Sequence, residues 1–172
     1  MQHVSLDRSL LIRGSPSAEP LWAAFLKKAA SKYPKVVVLL FECLEADLKR
    51  EFGSALPPGI VFVECFNEAL EVANLLRLLE QHAGERILVA VDSLDHHLLA
   101  LGVNRTARFI ENVKELEIPI ICRTTSKEKA LNSLTDAILE VSFDVEDPEL
   151  VLCHSTCFQK NGKRVVTTES WK

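Results

Sequence analysis

The stretch Arg86-Ile-Leu-Val-Ala-Val-Asp92-Ser93-Leu94 decides the fold class of this sequence. Its uninterrupted apolar run has the length and the Val/Ile content of a strand buried on both faces, and such strands belong to parallel sheets that are covered by helices. The run ends in a carboxylate and a hydroxyl. Open α/β sheets bind ligands at the carboxyl ends of their strands, and in phosphate-loop hydrolases an acid at this place helps to hold magnesium. We therefore take this stretch as the central strand.

Strand and helix patterns alternate on both sides of this central strand. Apolar runs at 9–13, 35–41, 60–63 and 118–122 alternate with segments of helical spacing, and Asn104 is expected to cap the helix that follows the central strand. Pro119 marks its run as an edge-like strand or as one with proline at its start. After an alternating strand at 136–143, two alternating stretches flank Lys160-Asn161-Gly162-Lys163, a strong hairpin signal.

This order predicts a three-layer α/β domain with a mostly parallel sheet and an antiparallel C-terminal hairpin. We expect one domain over residues 1–172. Two organisations compete within the class, a RecA-like (phosphate-loop hydrolase-like) core and a flavodoxin- or Rossmann-like one. The late antiparallel strands that follow the acid-ended strand favour the RecA-like organisation.

Composition excludes several classes of protein. Charged residues make up 26% of the chain and the net charge is -4, so no global positive field points to nucleic acid. Five scattered cysteines do not form a disulfide framework. The N-terminus lacks a signal pattern, and no run reaches the roughly 20 apolar residues of a membrane span. We expect a cytoplasmic or nuclear protein with no membrane association. The 48% apolar content hints at surface buried against other subunits.

The connector after the first strand fails as a phosphate loop. Such a loop ends in Gly-Lys-Ser/Thr, whereas this chain has Glu19, Pro20 and Leu21 in the corresponding places after Gly14. A carboxylate would face the phosphates, proline has no N–H to donate, and leucine cannot bind magnesium. The dinucleotide-binding glycine pattern is also absent. We interpret the segment as a strand-to-helix connector, and Asp92 as a hydrogen-bonded cap or core acceptor rather than a metal ligand.

Other candidate constellations also favour structural interpretations. Asp95, His96 and His97 follow Asp92 closely, and we interpret them as a helix N-terminus with partly exposed imidazoles. On a strand, Cys153 and Cys157 lie about 13 Å apart, too far for one metal ion or a disulfide. Ser93 lacks the Gly-x-Ser-x-Gly elbow of a nucleophile. We therefore expect no catalytic residue, no metal and no cofactor.

Basic residues gather at three places, which are solvated faces in the simplest interpretation. The middle group follows the carboxyl end of a strand, where loops of RecA-like rings face nucleic acid. The nucleic-acid-binding candidates are therefore Arg123, Lys127 and Lys129. The two other groups consist of Arg105 and Arg108, and of Lys160, Lys163 and Arg164.

Four short segments together resemble the family of Elongator complex protein 5. They are Leu10-Leu-Ile-Arg-Gly-Ser-Pro-Ser-Ala-Glu-Pro-Leu-Trp22, Phe41-Glu42, Val89-Ala-Val-Asp-Ser-Leu94 and Glu169-Ser170-Trp171. The resemblance implies a RecA-like accessory subunit without nucleotide-binding motifs. It further implies a six-membered ring formed with Elongator proteins 4 and 6, which binds and releases tRNA and supports modification of wobble uridines. Catalysis would reside in another subunit of Elongator.

Three alternatives stay open at this point. Elongator protein 6 shares the degenerate loop of a RecA-like domain. Inactive recombinase paralogues, which assist DNA strand exchange, share it as well and would bind DNA through the same basic loops. The third alternative is a partner of a nucleotide hydrolase that lends Arg123 as an arginine finger in trans.

Overall fold

The computed structural model describes residues 6–14, 18–53, 57–65, 72–82, 84–143, 151–158 and 164–171. Eight strands and five helices lie in these ranges. In chain order they are β1 (Leu10–Arg13), α1 (Ala18–Lys32), β2 (Lys35–Leu40), α2 (Glu45–Phe52), β3 (Ile60–Glu64), α3 (Val72–Glu80), β4 (Ile87–Val91), α4 (Asp95–Glu115), β5 (Ile120–Thr124), α5 (Lys129–Asn132), β6 (Ala137–Phe143), β7 (Val151–Phe158) and β8 (Arg164–Trp171).

All eight strands form one sheet in the order β3-β2-β4-β5-β1-β6-β7-β8. The pairings from β3 through to β6 are parallel, and those of β6 with β7 and of β7 with β8 are antiparallel. The predicted mostly parallel sheet with an antiparallel C-terminal hairpin is confirmed. The Asn-Gly turn itself lies outside the described residues, but Phe158 pairs with Arg164 across it.

Helices cover the two faces of the sheet, and two apolar clusters result. On one face, Trp22 and Phe25 of α1 and Leu48 of α2 pack on alternate strand residues. On the other face, Leu75 of α3 and Phe109 of α4 pack on the intervening residues of the same strands. Side chains alternate between the two faces of a strand, so each central strand contributes apolar residues to both clusters. Its sequence is therefore a continuous apolar run. The arrangement is compatible with a three-layer α/β fold.

The acid-ended strand is central, as predicted. Every residue of β4 is buried, and β2 and β5 flank it with parallel pairing. The edge alternative for the run at 118–122 is wrong, because β5 lies between β4 and β1. Pro119 precedes β5, and its carbonyl oxygen accepts a hydrogen bond from the Val89 N–H at 3.0 Å. Proline is tolerated there because the missing N–H falls outside the strand.

The helix predicted to follow Asn104 is present as the second of two helical segments, which α4 joins across a kink. The chain is already helical from Asp95, directly after the central strand, and α4 contains one non-helical residue, Gly102, with φ 76° and ψ 169°. Glycine adopts this conformation without the steric cost that a Cβ would add. Asn104 lies two residues past this kink, so the second helical segment begins close to the predicted position.

Candidate functional site

Asp92 lies where ligands bind in open α/β sheets, and its carboxylate is fully engaged by the chain itself. Oδ1 accepts hydrogen bonds from the N–H groups of Phe41 at 2.8 Å and Ser93 at 2.5 Å. Oδ2 accepts from Glu42 at 2.9 Å and Cys43 at 2.8 Å. Burial raises the pKa of the Asp92 carboxyl, and these four backbone N–H groups oppose that shift. The carboxylate thus fixes the turn between β2 and α2 to the end of β4.

This geometry agrees with the interpretation of Asp92 as a satisfied acceptor. Only 1% of the residue is exposed. A carboxylate oxygen offers about two lone-pair sites, so four N–H groups use the whole acceptor capacity of the side chain. A metal ion bound to Asp92 would have to displace these four backbone donors.

Arg123, at the carboxyl end of the adjacent β5, reinforces the same turn. Its Nε donates to the carbonyl oxygen of Asp92 at 2.6 Å, and Nη2 donates to Oε2 of Glu42 at 2.7 Å. The Arg123 side chain is 13% exposed, against 46% for Glu42. Sequence reasoning placed Arg123 among the nucleic-acid-binding candidates. In the structure its guanidinium is turned inward and paired, so it bridges two loops of the chain.

Asp95, in the first turn of α4, also connects two parts of the chain through its carboxylate. Its Oδ1 accepts from the Thr124 hydroxyl at 2.5 Å, and its Oδ2 accepts from the N–H of Thr125 at 2.9 Å and from the Thr125 hydroxyl at 2.8 Å. Partial burial would raise the pKa of Asp95, but these hydrogen bonds outweigh it and hold the pKa below its ordinary value. The first turn of α4 is thereby fixed to the loop that follows β5.

Arg13, at the carboxyl end of β1, is a residue of the candidate site that sequence reasoning missed. It is 7% exposed, and its guanidinium makes three contacts. Nε donates to the Ser126 carbonyl oxygen at 2.7 Å, Nη2 to Oδ1 of Asn132 at 2.6 Å, and Nη1 to Oε1 of Glu140 at 3.1 Å. Its partners are 113 to 127 residues away, so no local pattern could have found them.

The carboxyl ends of the parallel strands and the loops that follow them form what we call the carboxyl edge. Two of the three nucleic-acid-binding candidates lie on its surface. Lys127 and Lys129 are exposed, one in the loop after β5 and the other at the start of α5. β1 ends at Arg13 and Pro20 falls in the first turn of α1, as expected for a strand-to-helix connector, while residues 15–17 of the failed phosphate loop lie outside the described residues. Lys160 and Lys163 lie outside the described residues.

His97 is buried, which corrects the prediction of two partly exposed imidazoles. His96 is exposed, but His97 is only 3% exposed. Its ring packs between Phe41 and Phe109, with centroid distances of 5.3 and 5.4 Å. Nδ1 of His97 lies 2.8 Å from the hydroxyl of Thr106, which lies beyond the kink at Gly102. Burial lowers the pKa of His97 to about 4.

The cysteines and the metal-ligand types do not gather in the part of the chain that the structure describes. Cys153 and Cys157 both lie on β7, and all five cysteines are free thiols. No group of three or more His, Cys, Asp or Glu side chains could hold a metal ion among these described residues. Ser93 is buried, and its hydroxyl accepts the Asp95 N–H at 3.2 Å, which is a turn contact rather than a nucleophile geometry.

The described residues also line two open cavities, and Asn132 contributes to the second of them. One, of about 440 Å³, lies along the outer face of α4 beside Arg105 and Arg108. The other, of about 760 Å³, lies near the amino ends of β1 and β6, beside Lys114 and Asp136.

No family model matches the chain. No curated protein matches it either. No helix in the described ranges is long and apolar enough to cross a membrane.

Proposed function

We propose that this chain is a non-catalytic, RecA-like subunit of the Elongator complex. In this proposal it assembles with Elongator proteins 4 and 6 into a hexameric ring that binds tRNA and supports modification of wobble uridines. The four sequence segments that resemble the family of Elongator complex protein 5 motivate the proposal. The structural observation that carries its non-catalytic part is the Asp92 carboxylate, whose acceptor capacity is used up by four backbone N–H groups.

Two features of the sheet support the RecA-like part of the proposal. An acid ends a strand that is buried on both faces, and antiparallel strands extend the sheet after the last parallel one. The degenerate connector between β1 and α1 fits a domain that keeps this architecture without binding a nucleotide. In such a domain the groups that would face a nucleotide are free to hold loops.

The polar groups at the carboxyl edge support a structural role for that edge. Arg13 bonds to three partners, and Asp95 receives hydrogen bonds from Thr124 and Thr125. Arg123 bonds to the Asp92 carbonyl and to Glu42. An arginine finger must extend into a neighbouring site, which would break both of these contacts. The geometry of Arg123 therefore disfavours the role of a trans-acting partner in nucleotide hydrolysis.

The exposed cations at this edge are the proposed contacts to tRNA. Lys127 and Lys129 protrude from the loop after β5 and from α5, with no regular structure between residues 125 and 128. Ammonium groups that neutralise phosphates release counterions, so their loss weakens binding and also reduces its salt dependence. Because Arg123 is mostly buried, we expect it to contribute less than the two lysines.

Affinity purification of the tagged full chain from its own cells tests the assembly. We expect stoichiometric recovery of the other Elongator subunits. Recovery of recombinases instead would favour the DNA-repair alternative, and recovery of no stoichiometric partner would contradict a ring-forming subunit. A thermal-shift measurement with magnesium and ATP tests the non-catalytic part, because a ligand that binds the native state raises its melting temperature. We expect no shift, and a clear stabilisation would refute the absence of a nucleotide site.

Charge reversal of the lysines tests the tRNA contact. In the purified assembly, Lys127→Glu and Lys129→Glu should each weaken tRNA binding and lower the slope of log K against log salt by about 1. Lys28→Glu is the matched control, since Lys28 is an exposed lysine of α1 and its reversal makes the same change in net charge. Equal affinities for all three variants would remove Lys127 and Lys129 from the tRNA surface.

A further inference from the structure

The segment 124–132 carries Lys127 and Lys129, yet it contains little secondary structure that could hold it in place. Residues 125–128 belong to no helix or strand, and α5 has only four residues. A helix this short does not persist without tertiary contacts. Leu131 is the fully buried residue of α5 and anchors its far end. The position of the two lysines therefore depends on side chains from other elements.

Such side chains hold the segment from two directions. From the α4 side, Asp95 accepts hydrogen bonds from Thr124 and Thr125. From the β1 side, Arg13 donates to the Ser126 carbonyl and to the Asn132 side chain, so a single guanidinium spans the segment on both sides of the lysines.

Arg13 is itself held firmly. Its third donor pairs with Glu140 of β6, and the N–H of the next residue, Gly14, donates to the Thr124 carbonyl oxygen at 3.2 Å. The Arg13 side chain is 8% exposed, whereas that of Glu140 is 54% exposed. The planar guanidinium fork supplies several donors in fixed directions, which the point charge of lysine cannot do. Arg13 is thus placed to fix the backbone of the segment rather than to meet a ligand.

We propose that Arg13 is a positioning residue for the tRNA surface, and that it orders segment 124–132 so that Lys127 and Lys129 are presented in a fixed arrangement. This inference rests on the proposed function for its tRNA part. Its structural part, the ordering of the segment, stands independently of any ligand. Because an ordered loop loses less conformational entropy on binding, the loss of Arg13 should weaken tRNA binding without removing a phosphate contact.

The test combines amide hydrogen exchange of the full chain with tRNA binding by the purified assembly. The variant Arg13→Met keeps the apolar stem and removes all three donors. Amides of segment 124–132 should exchange about tenfold faster, while those of β2 and β4 keep their protection. The affinity for tRNA should fall about threefold to tenfold at every salt concentration, with an unchanged salt slope. The control is Arg105→Met, which removes the same charge from an exposed position on α4.

Two further variants keep the test decisive. Arg13→Lys keeps the positive charge but lacks the planar guanidinium, so the amides of segment 124–132 should still exchange rapidly. If this variant instead exchanges as slowly as the unchanged protein, charge alone orders the segment and the inference is overturned. Should Arg13→Met fail to fold, Asn132→Ala removes one of the three contacts and should give a smaller acceleration of exchange in the same segment.

Failure of the inference and failure of the proposed function give different results. Unchanged exchange in segment 124–132 of the folded Arg13 variant would overturn the positioning role. Faster exchange with unchanged tRNA affinity would also overturn it, provided that Lys127→Glu weakens binding. If instead neither lysine reversal affects tRNA binding, the proposed tRNA contact fails, and the exchange experiment still decides whether Arg13 orders the segment.

Discussion

Replacement of Asp92 should be among the most destabilising substitutions at the carboxyl edge. The variant Asp92→Ala leaves four backbone N–H groups without their acceptor. A buried donor without a partner costs about 1–3 kcal/mol. Three of these four hydrogen bonds are only partly buried, so water can replace part of what is lost. We therefore expect the free energy of unfolding to fall by about 3–5 kcal/mol in total.

Urea unfolding, followed by far-ultraviolet circular dichroism, measures this loss. With a slope of about 2 kcal/mol per molar urea for a domain of this size, the midpoint should fall by roughly 1.5–2.5 M. The variant Asp92→Asn preserves the side-chain volume but turns an amide N–H₂ toward two of the donors, so it should cause at least about half of the loss. This second variant separates lost hydrogen bonds from a cavity.

The control is Asp47→Ala, which removes a half-exposed carboxylate that accepts from Arg50 at 2.7 Å on the surface of α2. Such surface pairs contribute little, and we expect a change below about 0.5 kcal/mol. The role assigned to Asp92 would be refuted by a loss below about 1 kcal/mol for Asp92→Ala, or by equal effects of the two alanine variants.

Three other perturbations test the rest of the structure. The pKa of His97 is about 4 in the folded state and higher in the unfolded state, so the unfolded state takes up a proton first as the pH falls. About 2 kcal/mol of the free energy of unfolding should therefore be lost between about pH 7 and 5. The urea midpoint of the variant His97→Phe should depend less on pH than that of the unchanged protein. A Cβ at Gly59 would lie 2.4 Å from the Pro34 carbonyl oxygen, whereas a Cβ at Gly84 would meet no atom within 4 Å. Both glycines have φ near 90°, so the two alanine variants share the backbone strain and differ in this clash. Gly59→Ala should therefore lower the free energy of unfolding by about 2 kcal/mol more than Gly84→Ala. Arg123→Ala should cost about 1–3 kcal/mol in the same assay, and a neutral result would contradict its bridging role.

The layered fold was predictable because burial on both faces leaves a continuous apolar run. The runs that became β2 and β4 are among the most completely buried strands, and hydrophobic periodicity identifies such strands well. The hairpin was predictable from its turn residues. The position of Pro119 was ambiguous, because the sequence alone cannot say which strand lies beside which. The order β4-β5-β1 resolved it.

The contacts of the candidate site could not be predicted in the same way. Arg123 meets Glu42 across 81 residues of sequence, and Arg13 meets Glu140 across 127. Such pairs depend on strand order, which periodicity does not encode. His97 was predicted to be partly exposed because its contact with Thr106 lies across the kink at Gly102, and a sequence pattern does not give the angle of such a kink. One local signal for Arg13 did exist, since a charged residue directly continues a fully apolar strand.

The carboxyl edge shows how an acid at a strand end can serve the fold instead of a ligand. A ligand site keeps acceptors and donors free for the incoming group, whereas a structural site uses them within the chain. At this edge, the carboxylates of Asp92 and Asp95 accept hydrogen bonds from backbone N–H groups, and the guanidiniums of Arg13 and Arg123 donate hydrogen bonds to backbone carbonyl oxygens. Each of these four side chains therefore fixes a loop. In the proposed function, these contacts would hold the loops from which Lys127 and Lys129 reach a partner.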